Sequence, residues 1–165
     1  MFRKIEDFTR LWTYESEATL KLFRALTEAS LGQSVAPGGR TLGFLAWHCV
    51  VTLPEMMKHA GVPVVGPDHA APQPALAEMT RLYEQCAKAV GEGIQARWTD
   101  AMLAEMIPMY GEQWARGNVL SALILHQTHH RAQMTVLMRQ AGLKVPGLYG
   151  PAREEWAAMN MPAQP

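Results

Sequence analysis

Four stretches of this chain repeat their apolar residues at helical spacing, and glycine or proline lies just beyond three of them, which leaves little alternative to an all-α core. Ile5, Phe8, Trp12, Thr19, Leu22 and Leu26 trace the first stripe and predict a helix over 3–30, stopped by Gly32 and the Pro37-Gly38-Gly39 cluster. Thr41 is placed to cap a second helix that carries Leu42, Leu45, Trp47, His48, Val51 and Met56 to about Ala60, with a kink expected at Pro54. The stretch from Gly61 to Pro74 holds Pro63, Pro67, Pro72 and Pro74 and reads as a long crossover. Leu76, Met79, Leu82, Tyr83, Cys86 and Val90 mark a third helix.

Thr99-Asp100 starts a short extra helix through Met106, and Ile107 to Gln113, with Pro108 and Gly111, reads as irregular or briefly extended. A fourth long helix runs from Arg116 or Asn118 to Gln140, with Gly142 as its stop. No strand pairs, repeats or low-complexity tracts stand out. The reading is a single domain over residues 1–165, a four-helix bundle with a long crossover between helices 2 and 3. Residues 143–165 form an irregular C-terminal extension, frayed from Met161 to Pro165.

Composition narrows the function classes. Fifteen basic and fifteen acidic residues give a net charge of zero, dispersed without a basic stripe, which argues against nucleic acid and anionic membrane as partners. Hydrophobic residues make up 48% of the chain, but no apolar run reaches the roughly 20 residues of a membrane span. The opening Phe2-Arg3-Lys4-Ile5-Glu6-Asp7 lacks the apolar core of a signal peptide, so the expectation is a cytoplasmic protein. Cys49 and Cys86 show no CxxC spacing and fit buried thiols of a reducing compartment.

The chemistry-bearing segment is His126-Gln127-Thr128-His129-His130-Arg131. Residues four apart on a helix share a face, with Cβ atoms about 5–6 Å apart, so His126 and His130 can share one metal ion. Val119, Leu123, Met134 and Leu137 belong to the same inward face, so the two imidazoles replace apolar layers and need partners. His48, alone in an apolar helix, is the candidate for a third ligand. Three protein ligands with an open position is the pattern of catalytic metal sites. Hydrogen-bonded core histidines are the competing reading. His129 cannot point the same way as both ligands, and His59 and His69 read as exposed. A zincin protease needs HExxH; Gln127 stands where its glutamate general base would be, which removes that mechanism.

These motifs resemble the DinB family, the DinB/YfiT-like metalloenzymes. Leu45-Ala46-Trp47-His48 resembles the family's first ligand region, and His126-Gln127-Thr128-His129-His130-Arg131-Ala132-Gln133 its H-x-x-H-H-R-G-Q signature. Leu143 to Pro151 resembles the usual exit from the last helix. Ala132 departs from the common Gly; as the better helix former it should leave the helix intact. The resemblance implies an up-down-down-up bundle, often a homodimer, with a divalent metal on His48, His126 and His130. It also implies thiol-dependent transferases and isomerases using bacillithiol, mycothiol or glutathione, or metal-dependent hydrolases, among its relatives.

Around the site, Glu55 follows His48 by seven residues and is a candidate proton acceptor, with a solvated or Lys58-paired carboxylate as the competing reading. Arg131 is a candidate for binding a substrate carboxylate, with a structural salt bridge as the competing reading. Glu15 and Thr19 interrupt the first stripe and can reach inward as supporting groups or sit at the surface edge. The leading expectation is an enzyme that activates water or a low-molecular-weight thiol on zinc, nickel or iron, of hydrolase or thiol S-transferase type. The alternative is a non-catalytic, stress-associated metal-binding dimer whose site is structural or vestigial, closed by a side chain such as Glu55 or Cys49.

Overall fold

The computed structural model describes residues 2–162. Its frame is four long helices: α1 (Ile5–Ala25), α2 (Leu42–His59), α3 (Leu76–Arg97) and α4 (Arg116–Gln140). Short 3-10 turns span Glu28–Ser30, Asp100–Ala104 and Arg153–Met159. α1 packs against α3 and α4, and α2 packs against the same two, so the helices form a ring with α1 diagonal to α2.

Side-chain contacts give the helix directions. Phe23 meets Tyr83, the Trp12 indole N–H donates to the Ala87 carbonyl, and the Ile5 N–H donates to Asp100, so α1 and α3 are antiparallel. Arg116 at the start of α4 donates to the Ala60 carbonyl at the end of α2, so these two are antiparallel as well. Gln127 of α4 joins Cys49 of α2 to Tyr83 of α3, while the Cβ position of Gly93, late in α3, faces Val62 just beyond α2. α2 and α3 therefore run the same way, and the order is up-down-down-up. Two parallel neighbours need a long return, which the crossover supplies; the Trp47 indole pins it by donating to the Ala71 carbonyl at 3.2 Å.

Four stretches differ from the sequence expectation. The short extra helix is a 3-10 turn that ends at Ala104, because Met106 already belongs to a strand. The first helix stops at Ala25, because Thr27 and Ser30 form a capping box that starts a separate turn. The third continues past Val90 to Arg97, carried by Ile94 and closed beside buried Trp98. The stretch expected to be irregular or briefly extended is an antiparallel hairpin, β1 (Met106–Met109) and β2 (Glu112–Ala115), pairing Met106 with Ala115 and Met109 with Glu112. Its tip is Tyr110-Gly111, with φ of 52° and 84°, the double positive φ of a tight hairpin turn. Strands of four residues, one of them containing Pro108, are too short to show the alternation that would announce them.

Elsewhere the punctuation agrees with the expectation. Thr41 caps α2 by accepting the Phe44 N–H, and Gly142 follows α4 with a φ of 74°. α2 passes through Pro54 and α4 through Ala132. Among the described residues, the C-terminal extension is irregular except for one 3-10 turn, and it docks on the bundle through buried Val145. Of the stretch expected to fray, Ala163 to Pro165 lies outside the described residues.

Candidate metal centre

α2 and α4 lie side by side, and each delivers imidazoles to the seam. His48 and His126 are half-buried and His130 is buried. The His126 Nε2 lies 3.1 Å from the His48 Nε2 and 3.2 Å from the His130 Nε2, and one ligand atom from each of the three falls within 4.8 Å of the others. Three neutral rings cannot satisfy one another in that arrangement. His126 Nε2 carries at most one proton for two neighbours, and His126 Nδ1 is buried without a partner.

Gln133 settles the tautomer of His130. Its Oε1 is 2.8 Å from His130 Nδ1 and can only accept, so Nδ1 carries the proton and Nε2 presents a lone pair to the cluster. The sequence placed Gln133 beside the ligands without a role; its position three residues after His130 is the signal that it can reach the ring.

The rings are held neutral. Burial, reinforced by the neighbouring histidines and Arg40, lowers His48 from 6.5 to about 4. Burial likewise lowers His126 to about 4, and His130 is shifted the same way despite the opposing Gln133 hydrogen bond. The donor set fits a divalent transition metal: bonds of about 2.0–2.1 Å at tetrahedral angles set imidazole nitrogens about 3.3–3.4 Å apart, near the 3.1 and 3.2 Å on either side of His126. The cluster could hold a metal ion, with these three residues as its ligands.

Among the described residues, no other His, Cys, Asp or Glu joins the group. Cys49 is fully buried, its thiol raised to about 12 by desolvation. Glu55 accepts the Tyr110 hydroxyl at 2.9 Å and lies 3.5 Å from His59, partners different from the Lys58 pairing considered above. His129 is exposed and leans edge-on against His130. His69 is exposed, as expected, but its ring stands 5.8 Å from that of His48. The crossover folds back over the site, a proximity that residue spacing cannot show.

Arg131 and Gln127 have other work. Arg131 is only 1% exposed; its guanidinium donates to the Glu15 carboxylate and carbonyl, Thr19, Thr128 and the Tyr149 hydroxyl. This network ties α4 to α1 and to the extension. Gln127 is fully buried with both ends of its amide used: Oε1 accepts from Tyr83 at 3.2 Å, and Nε2 donates to the Cys49 carbonyl at 3.0 Å. Its place is the bundle core, one position from His126.

Comparison with known proteins agrees with this architecture. The family model described as the DinB family matches residues 1–164. The chain is 42% identical over 164 residues to the uncharacterized protein YrdA of Bacillus subtilis (strain 168), covering 99% of this chain and 98% of that protein. A DinB-like protein from Bacillus cereus ATCC 10987 superposes with a TM-score of 0.86 at 42% identity, over 90% of this chain and 100% of that one. A second DinB-like protein, YjoA from Bacillus subtilis, is 12% identical with a TM-score of 0.68 over 88% and 99% of the two chains, a likeness of fold alone.

Proposed function

The chain belongs to the DinB family, and from that premise we propose that it is a divalent-metal-dependent enzyme acting on a small electrophile, of hydrolase or thiol S-transferase type. The observation that carries this reading is the convergence of three imidazole Nε2 atoms beside a cavity of about 360 Å³ that also touches His48 and His126. Structural sites are closed by a fourth protein ligand, and none joins these three among the described residues. A cation bound there supplies Lewis acidity, which favours the deprotonated form of a water or thiol nucleophile at neutral pH.

The chain's own residues prepare the site for that role. Burial keeps the rings unprotonated, Gln133 fixes which nitrogen of His130 is free, and Tyr110 orients the Glu55 carboxylate at the cavity wall. Zinc and nickel suit an all-imidazole set, and iron is the third candidate. A homodimer is part of the same proposal, supported by apolar Leu125 and Val136 left exposed on the outer side of α4. Metal analysis of the purified protein and of His126→Ala tests the core claim. The variant should lose bound metal and turnover together, and full metal loading without His126 would overturn the assignment.

A further inference from the structure

A second and larger cavity lies beyond the first. It encloses about 840 Å³ between the second half of α2, the crossover and the hairpin tip. Glu55, His69 and Tyr110 line both spaces, so the two adjoin along a shared wall. His48, Thr52, Glu55 and His59 recur on one face of α2 at helical spacing, which leads from the imidazoles outward. The outer walls are mainly the rings and branched carbons of Pro54, Pro63, Val64, Pro67, Pro108 and Tyr110. The volume falls in the usual range for small-molecule sites, about 300–1,000 Å³.

The charges facing this space are unevenly used. Glu55 is engaged by Tyr110 and His59, and Asp68 accepts the Ala70 and Ala71 amides at 2.9 and 3.0 Å. Lys58 is therefore the charged side chain on this wall with no hydrogen-bond or ion-pair partner among the described residues, whereas both carboxylates already accept hydrogen bonds. Lys58 follows His48 by ten positions, a rise of about 15 Å along a helix.

We propose that the two cavities form one bipartite binding site for an elongated amphiphile, with a coordinating head at the histidines, an apolar body along the proline-lined wall and an anionic end at Lys58. The head group's placement rests on the metal reading above; the apolar body and the anionic end do not. Tyr110, at the hairpin tip, is the residue that closes the site over the middle of such a ligand.

The experiment uses zinc-loaded full-length protein and the monohydroxamate of dodecanedioic acid, whose hydroxamate coordinates metal and whose far end is a carboxylate. Calorimetry should show it binding about fivefold more tightly than its methyl ester. Lys58→Gln should erase that preference and Lys58→Arg retain it, while acetohydroxamate, which reaches the histidines alone, binds all three proteins equally. Equal affinity for acid and ester in the zinc-loaded wild type would overturn the proposal and leave the metal reading intact. If the protein takes up no zinc, the metal reading fails instead. Dodecanoate binding to wild type against Lys58→Gln then decides the outer site, and equal binding to both would overturn it.

Discussion

Gln127 separates what a residue's spacing announces from what its surroundings require. In the one-dimensional pattern it occupies the place of a zincin glutamate; in the fold it is a fully buried amide bridging Tyr83 and the Cys49 carbonyl. Gln127→Glu would replace its donor end with an anion facing a carbonyl in the core. We expect a loss of about 3–5 kcal/mol, read as a shift in urea midpoint, and no gain of peptidase activity. A stability change within experimental error would contradict the hydrogen-bond assignment. Arg131 makes a parallel case. Arg131→Met leaves Glu15 buried without its partner and should cost about 3–5 kcal/mol, whereas Arg131→Met with Glu15→Leu should recover a large part of that loss. A double variant as unstable as the single one would show that packing, not the orphaned charge, dominates. Both residues could be flagged from sequence as lying near the histidines, but burial is a property of two faces meeting, and residue order does not report it.

At the scale of elements, helix ends were readable because caps are local chemistry. Thr41 and Gly142 need only their immediate neighbours to act, and both sit where the periodic stripes begin or end. Gly142→Ala forces a side chain into a left-handed conformation and should lower stability by about 1 kcal/mol. An unchanged thermal midpoint would mean the end of α4 had simply re-formed. The brief extension was legible but its pairing was not, because the two strands pair over only four residues and Pro108 removes a donor from one of them. The hairpin borders the candidate site all the same: its tip carries Tyr110 over α2, where the hydroxyl reaches Glu55. The same limit hid the capping box that ends α1 early, since Thr27 and Ser30 lie inside an uninterrupted helical stripe.

At the scale of the whole molecule, gathering three imidazoles into one seam has a measurable cost. His48 and His126 sit at about 4 against an ordinary 6.5, so between those values the unfolded chain binds protons that the folded chain does not. Stability of the metal-free protein is complete above about pH 6.5, declines as the pH falls, and loses this contribution fully below about pH 4. Because both rings are partly solvated, the two together are worth on the order of 1–2 kcal/mol. Urea midpoints of chelator-treated wild type and His126→Ala, compared at about pH 7 and pH 5, isolate the effect from other titrating groups. Parallel declines in the two proteins would count against it. The residue pattern alone determined the helical class, the four long elements, the Thr41 and Gly142 punctuation and the HxxxH face, because periodicity and capping depend on neighbours a turn away. It also pointed to His48 as the third imidazole. Meeting of His48 with α4, the closure of the crossover and Tyr110 over the site, and the burial of Gln127 and Arg131 were settled by the fold. Each of those depends on contacts between elements far apart in the chain, and such contacts leave no local periodicity to read.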